Sequence, residues 1–303
     1  MLAQMQVAQW LPERRLLAAA TALGYLCYYV LRFRRSVVDA RVAAAFSGRA
    51  SPAEQRRIAR DAYVYLSLSL LWFLRLPTVD PARVREELVD VDAADVDAFH
   101  ERVVAARHNA ILLTGHVGMW ELLPAALADP LCEQWIVYRP LHQAALDRIV
   151  TDIRQAPRRH LVPGRLQDSS STAQLVGLVA DHRASSRRGA PRAEVTFLRQ
   201  RTLLPTGAAR LHLGSAGASS LWVGALVHNT AFYRSPPVAS CAKPFKLVLR
   251  EIAVPLVSSE DPQADDNAAA ITQSYAQALE EVVLQHPEQY LWLHDLWSAS
   301  RRS

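Results

Sequence analysis

The chain has 303 residues, of which 50% are hydrophobic and 21% charged, with 11 glycines and 17 prolines. This composition supports one large α/β domain or two small ones with a buried core, and it excludes disordered and fibrous classes. The formal net charge is +5 and only Lys243 and Lys246 are lysines. The arginine excess favours an anionic partner such as nucleic acid, a membrane surface or a phosphorylated ligand, although a GC-rich genome produces the same bias.

The first predicted element is an uncharged apolar run at residues 16–31, LLAAATALGYLCYYVL, with arginines on both sides. As a helix it would be about 24 Å long, shorter than the roughly 30 Å hydrocarbon core of a bilayer. A secretory signal fits poorly, because arginines and not a small-residue cleavage site follow the run. Two interpretations remain: a membrane-associated helix, spanning or lying in one leaflet, and a buried core helix.

The segment after this run is strongly basic. Residues 32–60 contain eight arginines against two acids, Asp39 and Glu54. Such a cluster suits anionic lipid headgroups on the cytoplasmic side of a membrane, and the alternative is a solvated helical face.

Two helical segments are predicted next. Ser51, Pro52 and Glu54 have the spacing of a capped helix start, and the helix is expected to end before Pro77. Residues 80–109 are predicted to be mostly helical and polar.

From residue 110 onward, short apolar runs alternate with helical patterns. This alternation predicts an α/β fold with a largely parallel or mixed central sheet flanked by helices. The predicted strands are residues 110–115, 134–140, 159–163, 193–198, 219–229 and 246–256. The predicted helices are residues 118–128, 141–155, 203–217 and 265–285. Residues 171–182 fit either a helix or a strand.

Several common functional motifs are missing from the sequence. There is no G-x-G-x-x-G, P-loop, nucleophile elbow or H-E-x-x-H, so the usual support for dinucleotide, ATP, serine-hydrolase and zinc-protease functions is missing. Cys27, Cys132 and Cys241 are far apart, which predicts neither a disulfide framework nor a zinc site. No nucleic-acid-binding module accompanies the arginines, and no nucleic acid partner is expected.

The sequence GHVGMWELLP at residues 115–124 suggests a catalytic pair. His116 and Glu121 would be about 140° apart on one continuous helix and could not meet. They can meet if His116 ends a strand and a helix begins near Gly118, at the edge of the sheet where α/β proteins bind ligands. The histidine could then take a proton from a hydroxyl, with a carboxylate fixing its tautomer. The alternative is a capping glutamate beside a structural histidine.

Four blocks carry a family resemblance. LLTGHVGMWE resembles the H-x-x-x-x-[DE] motif of the lysophospholipid acyltransferase superfamily, and most of all its branch of bacterial lipid A biosynthesis lauroyl and myristoyl acyltransferases. VYRPLHQAALDRIVTDIR, VADHR and PEQYLWLHDLW are similar to three further blocks of that branch and follow in the same order. Two histidines, His182 and His294, lie inside these blocks.

The resemblance implies a fold, a reaction and a set of site residues. It implies a glycerol-3-phosphate-acyltransferase-like α/β domain at residues 36–303, after a membrane-anchoring helix at residues 1–35. The expected catalytic residues are His116 as general base and Glu121 as its partner. Arg139 and Asp181 match the family's other functional positions, Arg139 as a ligand for phosphate or a developing oxyanion and Asp181 as a residue that orders the arginines or the acceptor.

The expected reaction moves an acyl chain from an acyl carrier protein thioester, or less readily from coenzyme A, to a hydroxyl of a lipid A precursor or related glycolipid. No metal or cofactor is expected, since the thioester is a co-substrate. The expected partners are the carrier protein, the lipid acceptor and an anionic membrane surface, at the cytoplasmic face of a bacterial inner membrane. Two alternatives stay open: another acceptor (a lysophospholipid, another glycolipid or a pigment lipid), and a non-catalytic lipid- or carrier-binding protein.

Overall fold

Within the part of the chain that it describes, the computed structural model contains the strands β1 (Val89–Asp90), β2 (Asn109–Thr114), β3 (Glu133–Tyr138), β4 (Arg159–Pro163), β5 (Gln174–Val179), β6 (Arg192–Phe197), β7 (Gln200–Pro205), β8 (Ser219–His228) and β9 (Phe245–Glu251). The structure describes residues 11–76, 79–80, 83–106, 108–129, 131–140, 143–155, 159–163, 174–182, 191–215, 219–234, 242–255, 265–294 and 296–297.

Seven of these strands form one sheet, in the order β1-β9-β8-β2-β5-β3-β4. Neighbouring strands pair parallel except β8 and β9, which pair antiparallel. Strands β6 and β7 form a separate antiparallel hairpin. The prediction of a central, mostly parallel sheet flanked by helices is therefore confirmed.

The helices that cover the sheet are α1 (Glu13–Tyr25), α2 (Arg35–Ala45), α3 (Pro52–Phe73), α4 (Ala93–Phe99), α5 (Leu123–Ala126), α6 (Ala144–Arg154), α7 (Gly207–Gly214), α8 (Thr230–Arg234) and α9 (Asp265–Gln285). Helix α3 begins as predicted, with Ser51 and Glu54 forming a capping box and Pro52 at the first helical position.

Three predicted segments differ in the structure, and a fourth, left open by the sequence, is decided by it. The helix expected at 118–128 is reduced to a 3₁₀ turn, Trp120–Leu122, followed by the short α5. The segment 171–182, left open between helix and strand, contains β5. The helix expected at 203–217 begins only at Gly207, because residues up to Pro205 pair with β6 in the hairpin. The polar segment 80–109 is helical only in part and contains the short β1.

The apolar run at the N-terminus forms α1 and a π-helical extension, Leu26–Leu31. Leu16, Ala20 and Gly24 are the buried residues of α1. A Cβ atom on Gly24 would lie 2.7 Å from the backbone of Val64, so α1 and α3 pack in direct backbone contact.

Among the described residues, no single helix is long and apolar enough to cross a membrane. The bent pair Glu13–Leu31 and Arg35–Ala45 together has sufficient length and apolar composition. The division into an anchor at 1–35 and a domain at 36–303 stays a prediction.

The sheet separates two apolar cores. Ile111 and Leu113 of β2 belong to one core, and Ala110 and Leu112 to the other. This alternation follows from the two-residue period of a strand, and it leaves β2 buried on both faces. The carboxyl end of β2 is thereby held rigidly between helices, which fixes the position of the residue that follows it.

Candidate active site

His116 lies two residues after the end of β2, at the carboxyl edge of the sheet. The turn that follows requires glycine at position 118, where φ is +59° and a Cβ atom would lie 2.2 Å from the carbonyl oxygen of Leu226. Two backbone hydrogen bonds hold the turn: the N–H of Gly118 donates to the Gln289 oxygen at 2.9 Å and the N–H of Met119 donates to the Leu226 oxygen at 2.7 Å. The predicted strand–turn arrangement at this histidine is therefore present.

Asp181, two residues beyond the end of the neighbouring strand β5, holds His116 by two hydrogen bonds. Its Oδ1 lies 2.7 Å from Nδ1 of the imidazole, and its Oδ2 accepts from the backbone N–H of His116 at 2.8 Å. The side chain of Asp181 is 1% exposed and that of His116 is 13% exposed. An ionised carboxylate can only accept, so Nδ1 carries a proton and the lone pair remains on Nε2.

The charges of this pair stabilise each other. Burial alone would lower the pKa of His116, but the attraction and hydrogen bond of Asp181 raise it above its ordinary value. Burial acts in the opposite direction on Asp181, and the charge of His116 overcomes it and lowers the pKa of the carboxyl. The aspartate is therefore ionised at neutral pH and the histidine can take up a proton.

Two further histidines complete a ring cluster around His116. The ring centroids of His182 and His294 lie 4.5 Å and 5.0 Å from that of His116, and 4.7 Å from each other. His294 Nε2 lies 3.7 Å from Asp181 Oδ2, and burial lowers the pKa of His294 to about 4. His294 is consequently neutral at physiological pH, so the carboxylate of Asp181 forms its ion pair with His116.

The segment that carries His294 closes over the turn. The N–H of Leu291 donates to the His116 carbonyl oxygen at 2.9 Å, and Val117 forms a bridge with Tyr290. Arg41 of α2 donates to the carbonyl oxygens of Trp292 and His294. The closing block is thus part of the site and is anchored from the N-terminal part of the chain.

The structure does not show the predicted direct contact between Glu121 and His116. Nδ1 of His116 is taken by Asp181, and Glu121 forms a two-pronged ion pair with Arg154, with distances of 2.6 Å and 2.9 Å. The 3₁₀ turn directs the glutamate towards the last turn of α6, where a guanidinium offers two parallel donors. Glu121 therefore lies in the site but one side chain away from the imidazole.

His116, Glu121 and Arg154 line a cavity of about 600 Å³. Its mouth is polar and contains His116, Glu121, Arg139, Arg154 and His182. Its wall is apolar and contains Leu112, Leu123, Ile136, Leu161, Leu175 and Gly177. Arg139 directly follows β3 and is exposed at the mouth, so its positive charge is available to a ligand that enters the cavity. The cavity can hold a molecule with a polar, partly anionic end and an apolar body.

The cluster also has the composition of a metal site. One ligand atom each from His116, Asp181 and His294 lie within 4.8 Å of one another, and two imidazoles with a carboxylate suit a transition metal. The expectation that the reaction needs no metal stays a prediction.

The structure brings all four predicted site residues to one edge of the sheet or to the cavity beside it. The partnership of Asp181 with His116 and the role of Arg154 were missed. No local signal gives the first, because 65 residues separate the two partners. The second is hinted at only by the position of Arg154 at the end of the block that follows the Y-R-P triplet.

A family model described as "Bacterial lipid A biosynthesis acyltransferase" matches residues 1–220 and 245–299. No curated protein matches the chain.

Proposed function

Because the chain belongs to the bacterial lipid A biosynthesis acyltransferase family, we propose that it moves a fatty acyl chain from an acyl carrier protein thioester to a hydroxyl of a lipid A precursor or related glycolipid. The observation that carries this proposal is the His116–Asp181 pair at the mouth of an apolar cavity. A base with an oriented lone pair, next to room for an acyl chain, is what transfer to a hydroxyl needs.

In the proposed reaction Nε2 of His116 takes the proton of the acceptor hydroxyl. The hydroxyl oxygen attacks the thioester carbonyl, and a C–O bond forms as the carbonyl oxygen becomes an oxyanion. The oxyanion then collapses, the C–S bond breaks, and the imidazolium returns its proton to the leaving thiolate. Asp181 keeps the imidazole in the required tautomer and stabilises it while it is charged.

Two arginines are proposed to interact with the negative charge of the substrates or of the oxyanion. Arg139, at the exposed end of β3, binds a phosphate of the acceptor or stabilises the oxyanion. Arg154 is held in place by Glu121 and lies over the ring of Tyr138, with 5.8 Å between its guanidinium carbon and the ring centroid. Glu121 is thus assigned a positioning role.

A membrane surface is the proposed location, at the cytoplasmic face of a bacterial inner membrane. The end of the N-terminal helical segment exposes a cluster of large apolar side chains, with Val30 69%, Leu31 62% and Phe33 61% exposed. Arg32, Arg34 and Arg35 lie among and beside these residues, which is the arrangement of an interfacial anchor on anionic lipid.

The test is acyl transfer by the purified protein in detergent, with labelled acyl carrier protein as donor and a lipid A precursor or lysophosphatidic acid as acceptor. Transfer to the lipid A precursor that His116→Ala abolishes supports the proposal. Transfer to lysophosphatidic acid alone would replace the acceptor, and coenzyme A thioesters in a parallel arm identify the donor. An intact thioester with every acceptor, in protein that still binds the carrier, would instead support the non-catalytic binding alternative.

A further inference from the structure

Helix α3 carries a serine in its apolar half, and the hydroxyl of this serine contacts the turn that follows His116. Oγ of Ser69 donates to the carbonyl oxygen of Gly118 at 2.9 Å and lies 2.9 Å from Nε2 of His228, the last residue of β8. Ser69 is 7% exposed and His228 is 2% exposed, so both hydrogen bonds are shielded from solvent. The proposed mechanism gives neither side chain a role, and neither lines the cavity beside His116.

The protonation state of His228 follows from these contacts. A carbonyl oxygen can only accept, so the single proton of the Ser69 hydroxyl is directed to Gly118, and Nε2 of His228 must donate to Oγ. Nδ1 then keeps a lone pair, which agrees with its burial without a hydrogen-bond partner among the described residues. Burial lowers the pKa of His228 to about 3, so the ring is neutral at physiological pH.

The same network holds both polar backbone groups of Gly118. The N–H of Gly118 donates to the backbone oxygen of Gln289 at 2.9 Å. The side chain of Gln289 in turn accepts from the N–H of His228 at 2.7 Å and donates to the His228 carbonyl oxygen at 3.0 Å. The hydrogen bonds therefore form a closed ring, which runs from Gly118 through Gln289, His228 and Ser69 back to Gly118. In the buried interior, hydrogen bonds connected in this way strengthen one another.

The unsatisfied nitrogen of the imidazole indicates what the side chain at position 228 contributes. A phenylalanine there would fill nearly the same space without an unpaired polar atom in the core. The donor at Nε2 is thus the property of histidine that this position uses, and it directs the proton of Ser69 towards the turn. Only Val117 separates Gly118 from His116, so a displacement of the Gly118 peptide also displaces the residue that carries the imidazole.

We propose that Ser69 and His228 are positioning residues for His116: the imidazole of His228 orients the Ser69 hydroxyl, and this hydroxyl fixes the turn that aligns His116 with its carboxylate. The assignment of His116 as the base rests on the proposed function. The hydrogen bond between His116 and Asp181 is present without substrate. The positioning role can therefore be measured whether or not the chain transfers acyl groups.

The first test uses the proton NMR signal of Nδ1–H of His116, which is identified by its loss in His116→Ala. A proton held between an imidazole and a buried carboxylate resonates far downfield, so this signal reports the alignment of the pair. Ser69→Ala and His228→Phe are each expected to shift the signal upfield or broaden it beyond detection. The amide of a glutamine can donate from nearly the same place as Nε2 of the imidazole, so His228→Gln is expected to keep the signal.

The second test is acyl transfer by the same variants. Ser69→Ala and His228→Phe should each lower kcat by about tenfold, with little change in KM because neither residue lines the cavity. His228→Gln should keep a kcat near that of the wild type. Since both residues act through one hydroxyl, combining Ser69→Ala with His228→Phe should cost no more than Ser69→Ala alone. Ser67→Ala is the matched control, because Ser67 is on the same helix, is also 7% exposed and is not part of the ring.

The proposal is overturned if Ser69→Ala keeps the wild-type NMR signal, if Ser67→Ala perturbs the signal equally, or if His228→Gln behaves like His228→Phe. Thermal unfolding separates alignment from folding. A Ser69→Ala protein that does not fold would assign the hydroxyl to stability and would also overturn the proposal. The expected NMR pattern in a protein that transfers no acyl group would support the positioning role and refute the proposed function only.

Discussion

Replacing Asp181 by asparagine tests which carboxylate assists His116, the proposed general base. Asparagine has nearly the same shape but cannot hold the charge of the imidazolium, and its amide can donate to Nδ1 and stabilise the wrong tautomer. The substitution removes the carboxylate that lies 2.7 Å from Nδ1. If His116 is the base, the acyl-transfer rate must fall although the cavity is unchanged.

The expected loss follows from the kind of bond that is removed. A hydrogen bond to a charged group contributes about 1.5–3 kcal/mol, which corresponds to roughly 10- to 100-fold in rate. Loss of tautomer control adds to this, and the equivalent change in a serine-protease triad lowers kcat by about 10⁴. We therefore expect Asp181→Asn to lower kcat by about 10² to 10⁴ with little change in KM.

The assay is steady-state transfer from acyl carrier protein, with thermal unfolding as a check that the buried substitution leaves the fold intact. Glu121→Gln is the comparison, and it should lower kcat by at most about tenfold, since Glu121 influences the imidazole by its charge and forms its hydrogen bonds with Arg154. In a His116→Ala background, Asp181→Asn should cause no further loss, because the two residues act as one unit. The reasoning is refuted if Glu121→Gln costs more than Asp181→Asn, or if the Asp181 variant keeps near-wild-type kcat in a folded protein.

Three other predictions concern the base, the turn and the surface. The unprotonated form of His116 becomes more abundant as the pH rises, so kcat/KM should rise with pH. Because the pKa of His116 is raised, this rise should have an apparent pKa above 6.5. A rise that is complete below that pH contradicts the assignment of His116 as the base. Gly118→Ala places a Cβ atom against the Leu226 carbonyl oxygen in a residue with positive φ. The substitution should therefore lower the free energy of unfolding by more than about 2 kcal/mol, as measured by denaturant titration. An unchanged denaturation midpoint would show that the turn can relax. The double substitution Leu31→Ser and Phe33→Ser should lower the affinity for anionic vesicles, measured by co-sedimentation, by about tenfold or more. Activity in detergent should be unchanged. Undiminished vesicle binding would place the membrane contact elsewhere.

The fold was predictable where local pattern decides structure. The alternation after residue 110 predicts the strands of a largely parallel sheet, and Ser51 with Glu54 predicts the start of α3. The pattern failed where tertiary pairing decides. Residues 203–205 carry helix-compatible side chains, but pairing with β6 makes them a strand.

The site shows the same division. The strand end, the glycine turn and His116 follow from the residues between 115 and 118. The identity of the carboxylate on the imidazole does not, because parallel β2 and β5 bring Asp181 to the histidine from a distant part of the chain. A nearby glutamate at a familiar spacing was therefore the natural but incorrect choice for direct contact with His116.

The closing segment has a consequence for biosynthesis. The turn at His116 is fastened by backbone hydrogen bonds to Gln289 and Leu291, more than 170 positions later in the chain. Domains fold on the ribosome as their residues emerge, N-terminal parts first. His116 and strands β2 to β5 therefore emerge early, but the sheet needs β8 and β9, and the imidazole cluster cannot be completed until residue 294 has left the exit tunnel. The segment proposed to bind the membrane would therefore emerge during translation long before the proposed active site is complete.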